Sequence, residues 1–560
     1  MRLNGAEIIV KLLERQGVTT IAGIPGGANL PLYNALFKSP IRHILARHEQ
    51  GAGFIAHGMA RSTGLPAVCV ATSGPGATNL ITAIADARLD SVPLIAITGQ
   101  VPTSMLGTDA FQEVDIYNMT IPITKHNFIV RSAVELLSVI PEAFEIAISG
   151  RPGPVLIDVP KDVQTQEIDV YGWPETGERL PSPPLDMDAI ERAAVMINAA
   201  KRPVLYAGGG VMNSASHAVL REIAEKNSIP VALTLMGLGC FPPDNPLYLG
   251  MLGMHASLYT NLLLDEADLL IAVGARFDDR AVGRVQEFCP EAAIVHIDID
   301  RAELDKIRKA HISMACDAGE ALSALLPLVR TDERPEWRSR LALLKEEHPF
   351  PVPHDGPQHP LSIIAGIAAA APEDAIITTD VGQHQMWVAQ GYPFNRPRTL
   401  LTSGGLGTMG FGLPAAIGAA LANPGRRVVC VSGDGSIQMN IQELATLADL
   451  GLPVTVIVLN NGQLGLVRQQ QELFYGGNYI ASRFETRLNF AAIAREFGIS
   501  GKSIRTGEPI TAGLARAFAD GGPCVVDIGV ETEPNVYPIV PPGAANRDMI
   551  GGETYGKRCN

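Results

Sequence analysis

Short apolar runs recur along the chain, bounded by glycine, proline and polar residues and separated by stretches with helical spacing. The clearest sequence of elements lies between Arg427 and Asn461. An apolar run at 428–431 meets Gly433-Asp434-Gly435, a helical pattern starts near Ser436, and a second apolar run ends at Asn460-Asn461. This reads as strand, tight turn, helix and strand. Residues 1–165 alternate apolar strands with helical patterns in the same way and close on an edge-compatible strand over 155–160. Further strands are expected at 269–273 and 294–297, and a helix at 363–371 precedes a strand at 375–379. Repeated alternation of strand and helix predicts an α/β protein of three doubly wound parallel-sheet domains. The expected divisions are 1–165, 185–330 and 360–535, with a tail from 536 to 560. A proline-rich linker at 173–184 and a charged, proline-rich stretch at 331–360 mark the joins. The segment 535–544 is too rich in proline for regular structure and reads as a lid or a frayed end.

Length agrees with that division, since 560 residues exceed what one hydrophobic core supports. The 46% hydrophobic content and 56 glycines describe a compact chain with many tight turns. A net charge of −14, with no lysine and arginine cluster, argues against nucleic acid or an anionic membrane as partner. The seven cysteines are scattered without CxxC spacing, which fits buried thiols in a reducing compartment. The first residues enter a helical pattern at once (Ala6, Ile9, Leu12, Leu13). With no leader-like composition and no bilayer-length apolar span, a cytoplasmic protein is expected.

Candidate chemistry concentrates at strand ends. In a parallel βαβ unit both strands end on one sheet edge, so Asp434 and Asn461 should converge. A carboxylate and an amide oxygen suit a hard cation such as Mg²⁺ that also binds diphosphate oxygens. Gly433 and Gly435 would let backbone approach that diphosphate, and free N–H groups of the helix near Ser436 would face it. Taken alone, GDG is an ordinary turn with Asp434 as helix cap; the paired asparagines after the crossover make the pattern specific. Glu49, in Arg47-His48-Glu49-Gln50, sits just before a helix of small residues, where an exposed acid favoured by the helix dipole is the plain alternative. Gly208-Gly209-Gly210 lacks the full dinucleotide fingerprint. Arg276-Phe277-Asp278-Asp279-Arg280 and Asp298-Ile299-Asp300 place charges at strand ends, where they would hold a pyrophosphate and ribose or form surface ion pairs.

The GDG…NN stretch resembles the thiamine diphosphate motif, and RHEQ resembles the segment carrying the glutamate that meets the cofactor's aminopyrimidine. The runs Thr98-Gly99-Gln100, Gly107-Thr108-Asp109-Ala110-Phe111-Gln112-Glu113 and Thr124-Lys125-His126, together with RFDDR, are similar to the large subunits of the acetohydroxyacid synthases, also called acetolactate synthases. The resemblance covers nearly the whole chain. It implies a thiamine-dependent carboligase, a transferase that decarboxylates pyruvate and joins the two-carbon unit to pyruvate or 2-ketobutyrate in branched-chain amino-acid biosynthesis. By that resemblance Glu49, Gln112 and Lys125 are catalytic, with Gln112, Phe111 and Lys125 on the partner's side of the pocket. Gln383 and His384 contact the diphosphate, Met409 lies under the thiazolium, and Asp434, Asn461 and Gln463 hold Mg²⁺. Arg151, Gly209, His255, Arg276, Asp298 and Asp317 become FAD contacts, for a flavin that is structural in the family. Phe111, Met254, Arg280, Leu466 and Gln470 face the substrate. Glu49 and the GDG unit lie in separate domains, which implies a homodimer or homotetramer with its site between subunits, and a separate small regulatory subunit.

One departure bears on specificity. Many members carry Met and then Trp where this chain has Leu466 and Gln470, which predicts a weak preference for 2-ketobutyrate and poor binding of sulfonylurea-type inhibitors. The competing readings are a pyruvate oxidase or a 2-ketoacid decarboxylase. A non-catalytic assembly or regulatory paralogue is opposed by intact Glu49, Asp434 and Asn461.

Overall fold

The computed structural model describes residues 1–350, 358–504, 508–530 and 534–551. Its frame is three six-stranded sheets, each parallel throughout. The first runs in the order Arg42–Leu45, Thr20–Gly23, Ala67–Ala71, Leu94–Gln100, Val155–Pro160, His126–Ile129. The third repeats that order with Leu400–Leu401, Ile376–Thr379, Val428–Gly433, Val454–Asn460, Cys524–Gly529 and Ser500–Ile504. The middle sheet differs. Its order is Tyr248–Met251, Val231–Leu233, Pro203–Ala207, Leu269–Val273, Ala293–Asp298, Ile312–Ala315, the doubly wound order of dinucleotide-binding sheets.

Strands such as Ala67–Ala71 and Leu269–Val273 are buried along their whole length because helices cover both faces, so they read as continuous apolar runs. The first and third sheets meet through two helices, Glu49–Thr63 and Gly412–Ala422. Phe54 stacks edge-on against Phe411 at one end, and Asn423 donates to the Ser62 hydroxyl at the other, so the helices run side by side in one direction. A methyl group on Gly58 or Gly418 would overlap the carbonyl oxygen of Ala415 or Ile55, so glycine sets the closeness of this contact.

Four expectations need correction. The strand Val155–Pro160 is interior, buried at all six positions, and His126–Ile129 takes the edge. The single helix expected after Gly435 is broken into Asp434–Ile437 and Glu443–Leu450. Buried Asn440 between them donates to the Gly410 carbonyl, which competes with helix continuation. The stretch 331–360 is not merely a linker: Pro335–Glu347 is a helix whose Trp337, Leu341 and Leu344 join the central core, with the Trp337 indole donating to the Pro203 carbonyl. The helix start is favoured by Pro335 at its first position. The proline-rich segment is no frayed end where it is described. Val536, Ile539 and Val540 are buried, and the Val540 amide donates to the Met254 carbonyl. The remainder of the tail, 552–560, lies outside the described residues.

Candidate active site

In the third sheet the strand order reverses between Ile376–Thr379 and Val428–Gly433, the place where open α/β sheets bind ligands. A crevice of about 160 Å³ opens there. Gln383, His384, Met409, Gly433, Asp434, Gly435, Ser436, Asn461, Gln463, Leu466 and Gln470 all line it. The sequence distance between Asp434 and Asn461 vanishes because Val428–Gly433 pairs directly with Val454–Asn460, Gly433 opposite Leu459.

Asp434 is held by the Gly462 amide, 2.7 Å from its Oδ2, and burial pushes its carboxyl up to about 6. A cation beside it would offset that desolvation. The Asn461 Oδ1 accepts from the Gln463 amide at 3.1 Å. His384 is buried at the start of helix Gln383–Gly391, and burial lowers its pKa to about 3, so it is neutral. Its Nε2 is buried without a protein partner, as a group awaiting a ligand would be. A Cβ at position 433 would come within 2.9 Å of the His384 ring, so glycine there keeps the imidazole seated. The Gln383 amide donates to Gln469 Oε1 at 2.8 Å and to the Pro534 carbonyl at 3.0 Å, tying the crevice to the tail.

A buried carboxylate beside the crevice escaped the sequence reading. Asp380 accepts from the Gly410 and Gly412 amides and from the Ser432 hydroxyl, at 2.8, 3.0 and 2.6 Å. It ties together the three segments around Met409. The strand-end position before Val381-Gly382 was the available signal.

Glu49 begins helix Glu49–Thr63 and is buried, with the Asn79 amide donating to its Oε2 at 2.9 Å. The turn at Gly76 approaches it so closely that a Cβ there would lie 3.3 Å from Oε1. These partners belong to the first sheet's unit and none lines the crevice. Gln112 lies over the neighbouring turn, where a Cβ on Gly74 would meet its backbone oxygen at 2.8 Å, and it adopts a left-handed φ of 61°. Phe111 beside it is 89% exposed.

Lys125 is placed elsewhere. It precedes strand His126–Ile129, at the opposite end of a parallel sheet from Glu49 and the Gly74 turn. Its amino group donates to the Ile146 and Ser149 carbonyls at the end of helix Leu136–Ile148. Burial, helped by nearby arginines, lowers its pKa to about 8. The lysine on the Glu49 edge is exposed Lys161, directly after Val155–Pro160.

A second cleft, of about 340 Å³, opens where the middle sheet reverses between Pro203–Ala207 and Leu269–Val273. Arg151, Gly209, Arg276, Asp298 and Asp317 line it. Phe277, buried with a φ of 55° among Tyr206, Phe288 and His296, turns inward and leaves Arg276 and Asp278 facing the cleft. Arg276 has no hydrogen-bond or ion-pair partner among the described residues, and burial raises the Asp298 carboxyl to about 6. An unpaired guanidinium and a carboxylate short of donors fit a pyrophosphate and a ribose hydroxyl. Arg151 reaches across from the first sheet's unit to Asp300 and Glu303.

His255 does not line this cleft. It is buried, with Nδ1 3.3 Å from the Pro538 carbonyl, and burial lowers its pKa to about 4. Met254 and exposed Arg280 lie with it beside the tail, the guanidinium 3.9 Å from the Met254 sulfur.

Comparison with known proteins adds an independent line. Three family models match: the thiamine pyrophosphate enzyme N-terminal TPP-binding domain over 3–119, the central domain over 190–325 and the C-terminal TPP-binding domain over 380–528. The chain is 56% identical over 552 residues to the acetolactate synthase isozyme 1 large subunit of Escherichia coli K12, covering 98% of each. It is 46% identical to the isozyme 2 large subunit of the same organism, covering 98% of this chain and 99% of that one. The acetolactate synthase large subunit of Parasynechococcus marenigrum is 48% identical, over 98% and 91% of the two chains.

Proposed function

The chain belongs to the acetolactate synthase large-subunit family of thiamine pyrophosphate enzymes, and from that membership we propose how its residues divide the work. It is the catalytic subunit of a thiamine-dependent acetolactate synthase, acting in branched-chain amino-acid biosynthesis. The observation that carries the assignment of its site is the crevice in which Asp434, Asn461 and the unpartnered Nε2 of His384 meet at the ends of adjacent parallel strands.

When bound, thiamine diphosphate supplies the electron sink that lets a 2-ketoacid lose carbon dioxide and its two-carbon remainder join a second ketoacid. The protein's part is binding, orientation and proton control. Asp434, Asn461 and Gln463 hold Mg²⁺, while Gln383, His384 and the Gly433–Ser436 backbone receive the diphosphate. Met409 supports the thiazolium from below. Glu49 holds a proton at the pyrimidine nitrogen, a role its burial against Asn79 favours. Gln112 and Phe111 close the pocket, with Leu466 and Gln470 on the acceptor side and Arg280 orienting its carboxylate beside Met254. Lys125 is the assignment the fold favours least, given its position at the far sheet edge.

Glu49 and the crevice share no lining residue, and Phe111 stands exposed near Gln112. Both features support a homodimer or larger assembly in which Glu49 of one protomer serves the crevice of its partner. Because the relatives are called large subunits, a small regulatory subunit joins it. FAD occupies the second cleft against Arg151, Gly209, Arg276, Asp298 and Asp317; His255, which lies against Pro538 outside that lining, is the flavin contact the fold favours least. The divisions 1–165, 185–330 and 360–535 with a tail from 536 follow from each large sheet drawing its strands from one such stretch. A reducing cytoplasm suits the six described cysteines, all buried and free; no described helix is long and apolar enough to cross a membrane.

Product identification tests the reading. Purified chain with pyruvate, thiamine diphosphate, Mg²⁺ and FAD should give acetolactate, and Glu49→Gln should lower the rate by about a hundredfold or more. Acetaldehyde, or acetate formed at the expense of oxygen, would overturn it in favour of a decarboxylase or an oxidase.

A further inference from the structure

Residues 402–408, the glycine-rich turn leading to Met409, are gripped from outside their own unit. Helix Ile81–Leu89 of the first sheet's unit presents two carboxylates one turn apart, Asp86 within it and Asp90 at its cap. Asp86 Oδ2 accepts from the Ser403 hydroxyl at 2.5 Å and the Thr408 hydroxyl at 2.7 Å, bracketing the turn at both ends. Asp90 accepts the Gly404 amide at 3.0 Å and the Gly405 amide at 2.7 Å, filling its middle. The Ser403 hydroxyl in turn accepts the Thr408 amide at 2.8 Å. Arg61 neutralises Asp90 at 3.1 Å and donates to the Thr402 carbonyl. His57, fully buried, sets its Nε2 3.4 Å from Asp86 Oδ1.

Buried carboxylates are costly, and this pair is not a simple ion-pair cluster, because four of its acceptor contacts run to one short turn of another unit. Among the described residues the turn's own unit holds it only at the entry, where the Gln385 amide donates to the Ser403 carbonyl at 3.0 Å and to the Thr402 hydroxyl at 2.7 Å. Residues 404–407 are exposed, and Gly407 and Gly410 have left-handed φ values of 71° and 87°. Such a backbone samples many conformations unless external acceptors select one.

We propose that Asp86 and Asp90 are positioning residues for carboligation, fixing the 403–408 turn and thereby the seat of Met409 in the crevice. This rests on the reading of Met409 as the support for thiamine diphosphate. The arrangement also links the two openings of the molecule. Asp90, Arg61 and Met236 line the large cleft, and the Met236 sulfur sits where a side chain on Gly404 would go. The large cleft and the turn that carries Met409 therefore share Asp90, Arg61 and Met236 as common neighbours.

The test reads the turn directly. Amide hydrogen exchange is followed by mass spectrometry in the unloaded chain for the parent, Asp86→Ala, Thr408→Val and Thr408→Ser. Peptides covering 402–411 should exchange about tenfold faster in Asp86→Ala and Thr408→Val, while those covering 428–437 and 454–465 keep their protection. Thr408→Ser, which keeps the hydroxyl, should behave as the parent. In the loaded enzyme, kcat for acetolactate should fall about tenfold to a hundredfold in Thr408→Val, with KM for pyruvate within about threefold of the parent. Unchanged exchange of 402–411 in both Asp86→Ala and Thr408→Val would overturn the proposal. So would an equal loss of protection across the crevice strands in Thr408→Val, since that is general loosening. Exchange in the unloaded chain does not depend on the reaction catalysed, so failure of the functional reading shows separately, as a parent that makes no acetolactate.

Discussion

Gln470 sits exposed on the rim of the crevice next to Val467, and its amide offers a second ketoacid's extra methylene little apolar contact. One methylene in a good pocket is worth roughly 1–3 kcal/mol. In mixtures of pyruvate and 2-ketobutyrate the parent should therefore show weak preference, and Gln470→Trp should shift the product ratio toward acetohydroxybutyrate by about tenfold or more. A parent that already strongly favours acetohydroxybutyrate would contradict this. Lys125 makes a different prediction. Its pKa of about 8 lies below that of an unfolded lysine, about 10.4, so the folded chain binds fewer protons between these values. Stability from this residue is withheld below about pH 8 and gained as pH rises to about 10.4. Urea midpoints of parent and Lys125→Met should diverge in the parent's favour across that window, and a flat difference would show that the ammonium is not desolvated.

Helices carry the contact between the units. Side-by-side packing of Glu49–Thr63 against Gly412–Ala422 leaves no room at Gly58 or Gly418, where helix backbones meet. Gly418→Ala should cost about 1–3 kcal/mol by overpacking, lowering the urea midpoint with an unchanged slope. Because Glu49 and the turn before Met409 flank this helix pair, the same change should also lower acetolactate formation in the folded fraction. A second device works at the start of Glu49–Thr63. Glu443, fully buried, accepts the Arg47 and His48 amides at 3.0 Å each, so the helix following Asp434 anchors the turn that carries Glu49.

At the scale of the whole molecule, the separation of Glu49 from the crevice predicts complementation between inactive chains. Glu49→Gln and Asp434→Ala should each be inactive. Mixed under conditions of subunit exchange, they should recover about one quarter of the parent rate, since half the dimers are mixed and each has one intact site. No recovery despite proven exchange would place both residues at one protomer's own site. Ligand linkage gives a further check. The large cleft is walled by all three units, through Arg61, Arg276 and Arg398 among others. FAD at about a hundred times its Kd should therefore stabilise the chain by about 2.7 kcal/mol and narrow its calorimetric unfolding into one transition.

The sequence by itself determined the α/β class, the three sheets and most of the crevice. Apolar runs and glycine turns mark parallel strands buried on both faces, and the residues after those strands fall on one edge by topology. That is why Asp434 and Asn461 could be named from topology before any coordinates, whereas Gln383 and His384, which line the same crevice, came from the family resemblance. Tertiary structure decided what local pattern cannot encode. Lys125 went to the other end of its sheet because position before or after a strand decides the edge, and residue type does not. Helix Pro335–Glu347 emerged from a charged stretch because Trp337 had a core to enter. Asp86, Asp90, Asp380 and Glu443 are unremarked acids in the sequence. Their roles exist only because buried carboxylates need donors, and the donors that reach them belong to segments far away along the chain.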